Sequence, residues 1–232
     1  MSSGSPLAAR LPHRYAMVAA VATAVAAVVA ALIAISGSGE GDDSVDAGFA
    51  RDMGEHHAQA VDMSLIVLQT SESQDVDVLA YDIATTQSNQ IGRMQSWLED
   101  WDLPQARTED RMAWMPEGSM AMDDMGMEEM PDAAPGSPEY RAMPGMASLA
   151  EMEDLRAADS TQAEILYLQL LITHHLAGVE MAEAAVAEGQ DPDVVDLAQA
   201  MVNGQRSEVA LMSDMLEARE ASPREDLAAL GY

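Results

Sequence analysis

His56-His57-Ala58-Gln59-Ala60-Val61-Asp62-Met63 returns 118 residues later as His174-His175-Leu176-Ala177-Gly178-Val179-Glu180-Met181. The same offset pairs Gln87 with Gln205, Met94 with Met212, and Leu98-Glu99 with Leu216-Glu217, without a gap. The coincidences fall on imidazole, thioether and amide groups, the side chains that ligate or orient soft metals. Similarity at a fixed offset is the mark of an internal repeat.

Each repeat reads as a helical hairpin. The first spans 45–104: one helix ending near Thr70, a break at Ser71-Glu72-Ser73 with Ser73 as N-cap, then a second helix halted by Pro104. In that second helix Val76, Leu79, Ile83, Gln87, Gln90, Met94 and Leu98 recur at three- and four-residue steps and define one face. The second repeat spans 148–221. Ser148 and Glu151 form a capping box for a short helix, a long helix runs from Thr161 to about Glu188 with Gly189 closing it, and Asp191-Pro192 opens the last helix. No segment alternates at period two, and aromatics make up only 4 % of the chain. The predicted fold class is therefore all-α, an antiparallel four-helix bundle made of two repeated hairpins.

The flanking segments differ in kind. Residues 1–15 contain Arg10 and Arg14. The apolar run Ala16 to Ile35, within segment 16–36, has enough residues to span a bilayer at about 1.5 Å per residue. Acidic residues follow it, so the positive-inside rule puts the N-terminus in the cytoplasm and the rest outside. The expectation is a single-pass cell-membrane anchor, residues 16–35 in the membrane, with an extracytoplasmic globular part. Cleavage near Ala34-Ile35-Ser36 would release a secreted protein. Residues 37–44 are a Gly/Ser/Asp linker and 222–232 a tail.

Residues 105–147 contain five prolines and nine of the 19 methionines. No helical or strand period persists there, which predicts a mobile linker. Met120, Met122, Met125, Met127 and Met130, interleaved with carboxylates, are candidates for capturing Cu(I), with the carboxylates accepting Cu(II).

A formal charge of −29, with every basic residue an arginine, repels nucleic acid and concentrates cations. Cysteine is absent, which excludes disulfides and thiolate sites. Catalytic motifs are also missing. The residues three before His56 and His174 are Met53 and Leu171, not the Glu of a di-iron bundle, and no His-Glu-x-x-His occurs. The expectation is that the protein is not an enzyme.

Counting outward from the turn near residue 72 puts His56 and Gln87 at one height, and the second hairpin repeats this about residue 190. A His ring should thus meet a Gln amide across each hairpin. Met63 and Met181 lie two turns away, roughly 10 Å along the axis, and reach an ion at His56 or His174 only if a helix bends. The neighbouring rings His57 and His175 point about 100° around the helix. The rival reading is a structural or interaction bundle in which His-Gln contacts only fix packing.

The segments Phe49 to Met63, Tyr167 to Met181, Gln205 to Met212 and Met143-Pro144-Gly145-Met146 resemble the bacterial domain-of-unknown-function family numbered 305. The resemblance implies an exported, ferritin-like four-helix bundle, and some members are associated with copper binding. Carried over by position, it implies His56, His57, His174 and His175 as candidate ligands. Met63, Met94, Met181 and Met212 would be candidate thioethers; Gln87, Gln205 and Glu208 are candidate partners behind the ligands. Copper is the implied cargo, for sequestration or handover. The first repeat departs from the family in Met53-Gly54-Glu55, and Gly54 and Glu55 are expected to weaken that helix turn.

Overall fold

The computed structural model describes residues 41–107, 110–116 and 134–224. These contain five α-helices and no strand: α1 Val45–Val67, α2 Gln74–Asp100, α3 Leu149–Ala157, α4 Ser160–Glu188 and α5 Pro192–Ala218. The expected membrane segment, and Met120 to Met130 of the linker, lie outside the described residues. α1 pairs with α2 and α4 with α5 as hairpins, and α1 packs on α4 to join them. α4 is long and apolar enough to cross a bilayer, yet most of it is buried inside the fold.

Local chemistry sets most of the boundaries. Ser44 accepts from the Ala47 amide at 3.1 Å and starts α1. The Ser148–Glu151 capping box forms in both directions. Asp191 caps α5 with Pro192 in its first turn.

Three sequence expectations are corrected in detail. Ser73 occupies the N-cap of α2, but its hydroxyl donates to Glu164 at 2.8 Å instead of capping the helix. Gly189 ends α4 in an extended conformation, φ −64°. It is required there because a Cβ would lie 2.5 Å from the Ala185 carbonyl oxygen. Gly54 does not interrupt α1, and Glu55 is held by ion pairs to Arg107 and Arg111.

The hairpins clasp each other through two buried carboxylates. Asp46, on α1, accepts from the Gln190 amide at 2.9 Å and the Asp191 amide at 3.4 Å, in the α4–α5 turn. Glu164, on α4, accepts from the Glu72 amide at 3.2 Å and from Ser71 and Ser73, in the α1–α2 turn. Asp46 and Glu164 are themselves equivalent in the repeat. Each repeat's first helix therefore satisfies the orphan amides of the other repeat's turn, which fixes the two hairpins antiparallel. Glu164 also accepts from Arg219 at 3.0 Å, so its charge is compensated.

Two hydrophobic cores result. One gathers Met63, Val67, Leu79, Ile83, Tyr167, Leu171, Met212 and Leu216; the other gathers Phe49, Met53, Met94, Leu98, Met181, Ala182, Leu197 and Met201. In α1 the second core precedes His56 and the first follows it. In α4 the order is reversed about His174. The four histidines thus form a layer between the cores. In the first core Tyr167 and Ser64 share a hydrogen bond of 2.9 Å. Their repeat counterparts, Phe49 and Ala182, are both apolar, so the other core drops both polar partners at once.

Both described ends of segment 105–147 dock onto this body. Trp114 packs edge-on to Phe49, with ring centroids 5.8 Å apart, and donates from Nε1 to Asp52 at 2.9 Å. Met143 and Met146 are buried in the second core. The mobile-linker expectation therefore fails at these ends, because Trp and Met side chains found apolar cover to bury.

Candidate metal centre

His56, His57, His174 and His175 are all at most 1 % exposed. Adjacent helical positions point about 100° apart, so one ring of each doublet faces across the hairpin junction and the other faces along its own hairpin. His56 and His174 meet at the junction of α1 and α4, stacked with ring centroids 3.7 Å apart and 29° between planes. His174 Nε2 donates to the His56 carbonyl oxygen at 3.0 Å. Along the hairpins, His57 Nε2 donates to Gln90 Oε1 and His175 Nε2 donates to Glu208 Oε2, each at 2.8 Å.

These partners settle the tautomers. A carbonyl or carboxylate oxygen only accepts, so His57, His174 and His175 carry their proton on Nε2. In the neutral His57 and His174 rings Nδ1 then bears a lone pair, and in all three rings Nδ1 is buried with no hydrogen-bond partner. Neither nitrogen of His56 makes a hydrogen bond of ordinary geometry, although the Pro144 carbonyl approaches the ring. Five imidazole nitrogens are thus orphaned in one layer, where a buried polar group without a partner costs about 1–3 kcal/mol.

Burial also keeps His56, His57 and His174 neutral. It pushes His56 down to about 3, helped by the neighbouring His57 and His175, and opposed by the Pro144 carbonyl. Burial pushes His57 to about 3 as well, against the hydrogen bond to Gln90. His174 falls well below its ordinary value for the same reason, reinforced by the other rings. A neutral imidazole is the form that binds metals.

Two amides border the layer. Gln87 Oε1 and Gln205 Nε2 are buried without partners. Gln205 lies against Gly178, where a Cβ would come within 2.5 Å of its Oε1. The expected hydrogen bond from His56 to Gln87 and its counterpart from His174 to Gln205 are not formed. The hydrogen-bonded pairs sit one residue later on the first helix and one turn later on the second.

Sulfur surrounds the rings on both sides. Met63 and Met212 belong to one core, Met94 and Met181 to the other, so the four candidate thioethers do not converge at a single point. Sequence reasoning passed over Met53, Met143, Met146 and Met201, all buried in the second core. Met53 lies three residues before His56, a same-face spacing visible in the sequence. Met143 and Met146 belong to the Met-Pro-Gly-Met strap crossing the layer. Gly145, at φ +71°, presses so closely on α4 that a Cβ would lie 2.3 Å from the Ala177 Cβ and 2.9 Å from the Thr173 carbonyl oxygen. Gln59 clamps the strap: its Nε2 donates to the Ala147 carbonyl at 2.9 Å and its Oε1 accepts the Ala147 amide at 2.6 Å.

Among the described residues, no three His, Asp or Glu side chains converge as a ready-made metal cage. The donor set is instead neutral imidazole and thioether, which suits a soft ion such as Cu(I) or Ag(I) and, through the nitrogens, Cu(II). The residues present fit such an ion by chemistry.

The model of the family described as "Domain of unknown function (DUF305)" matches residues 46–216. No curated protein matches the chain. Among solved structures, a DUF305 protein from Streptomyces coelicolor is 43 % identical, with 80 % of this chain and 99 % of that one covered and a TM-score of 0.67. A DUF305 fragment from Deinococcus radiodurans is 30 % identical, with 75 % and 96 % covered and a TM-score of 0.58. CopM in its Cu(I)-bound form shares the fold at 19 % identity, with 77 % and 97 % covered and a TM-score of 0.53.

Proposed function

The chain belongs to the DUF305 family, and from that premise we propose that it is an exported, membrane-anchored copper-binding protein that sequesters or hands over the ion. In this reading the four long helices form a ferritin-like antiparallel four-helix bundle whose histidine layer is the binding locus. The observation that supports it is the set of orphaned imidazole nitrogens between two methionine-containing cores. A layer selected only for packing gains nothing from unpaired polar atoms, whereas a bound cation would satisfy them. That CopM is found in Cu(I)-, Cu(II)- and Ag-bound forms is consistent with this choice of ion.

The chain's own residues would act as follows. Nδ1 of His57, His174 and His175 would face the ion, with each ring oriented through its Nε2 by Gln90, the His56 carbonyl and Glu208. His56, approached only by the Pro144 carbonyl and held by no hydrogen bond of ordinary geometry, can turn with little loss. The strap from Met143 to Met146 covers the layer and excludes water. The proposed role is non-catalytic. Residues 16–35 would anchor the protein with its bundle outside the cytoplasm.

Equilibrium dialysis of the full chain against Cu(II), and against Ag(I) as a stable stand-in for Cu(I), tests the proposal. Uptake of at least one ion per chain, lost in a variant with His56, His57, His174 and His175 replaced, supports it. Uptake unchanged by those replacements would leave the histidines a structural layer and favour a non-catalytic interaction bundle.

A further inference from the structure

The repeat places Gln90 and Glu208 at one equivalent position, 118 residues apart. Each accepts from the Nε2 of the second histidine in its own hairpin, at the same 2.8 Å. The geometry is duplicated but the charge is not. We infer that this single difference makes the two halves of the histidine layer unequal, with Glu208 biasing the His175 side toward a doubly charged cation and neutral Gln90 leaving the His57 side to a singly charged one. The inference rests on the metal-binding reading above and names which residue sets its selectivity.

A carboxylate behind a ligating imidazole holds the ring's tautomer and raises the basicity of the opposite nitrogen. An amide oxygen holds the tautomer equally well but adds no net charge. The His175 side chain is fully buried and Glu208 is 30 % exposed, so water only partly screens the charge along the ring. Coulomb energy is proportional to the charge of the bound ion. The carboxylate therefore acts about twice as strongly, in free energy, on Cu(II) as on Ag(I). Glu208 is a positioning residue in this account, because it acts through His175.

The test compares the full chain with the variants Glu208→Gln and Gln90→Glu, measuring Cu(II) and Ag(I) affinities by chelator competition at one pH and ionic strength. Mutating the partner behind a ligating histidine costs about 10- to 100-fold in metal affinity. Glu208→Gln should weaken Cu(II) binding by that factor and Ag(I) binding by about its square root, roughly 3- to 10-fold. Gln90→Glu should tighten Cu(II) more than Ag(I), and it decides the matter if Glu208→Gln fails to fold. Equal fold-changes for both ions, or none, in a protein that binds both would overturn the inference while leaving the metal-binding reading intact. A wild-type chain that binds neither ion would overturn both.

Discussion

His56 and His174, from equivalent positions of the two repeats, stack ring on ring at 3.7 Å in the centre of the molecule, and His56 has no hydrogen-bond partner at either nitrogen. Two neutral imidazoles in that arrangement hold polar atoms out of water with little in return. Such an arrangement costs stability in the metal-free fold.

His56→Leu should therefore remove metal uptake without destabilising the metal-free fold. Leucine has similar bulk and no polar atoms, so removing two unpartnered nitrogens offsets the lost stacking. Thermal unfolding in chelator should show a melting temperature unchanged or raised, by up to about 1–3 kcal/mol of stability. A packing-only histidine would instead give a clear loss.

The metal-free protein should lose stability in acid. His56 and His57 have folded values near 3, against about 6.5 when unfolded, so between these pH values the unfolded chain binds more protons. Stability contributed by the neutral rings is complete above about pH 6.5 and falls as pH drops toward 3, by up to about 1.4 kcal/mol per pH unit for each histidine. Urea titrations of the metal-free chain from pH 7 to pH 4 check the sign. Stability that rises on acidification would refute the burial of neutral rings.

Gln59→Ala should loosen the strap. It removes both hydrogen bonds to Ala147 and should cost about 1–3 kcal/mol locally. The readout is peroxide oxidation of Met143 and Met146 followed by mass spectrometry, because buried thioethers are protected and exposed ones are not. Oxidation at the wild-type rate would show that Gln59 does not hold the strap down.

Asp46→Ala and Glu164→Ala should behave alike. Each leaves amides of the opposite hairpin's turn without an acceptor, a loss of about 1–3 kcal/mol. Denaturant unfolding of the two variants should give losses of similar size, with the Glu164 variant suffering more because Arg219 also loses a partner. A negligible effect in either would mean that the clasp does not hold the hairpins together.

Much of this architecture is legible in the sequence, because the repeat offset is a covalent fact and apolar periodicity reports helix faces directly. The His doublets, the hairpin turns and the Ser148–Glu151 box follow from local rules. Tertiary pairing is where sequence counting goes astray. It matches heights along the helix axis but not angles around it, so it joined His56 to Gln87 when the ring facing along the hairpin is His57 and its partner is Gln90. Ser73 was claimed by a carboxylate 91 residues away, which no local cap rule anticipates. Met143 and Met146 sit in a stretch whose composition reads as linker. Their burial depends on Gly145, whose missing side chain lets the strap touch α4.

The most direct test of the whole account is a long-range proton–nitrogen spectrum of the histidine side chains during titration of the full chain with Ag(I). The account predicts that the Nδ1 resonances of His57 and His174 begin as unprotonated nitrogens, and that Nδ1 signals from both repeats shift as the ion is taken up. Silver that binds without moving any of the four buried imidazoles would contradict it.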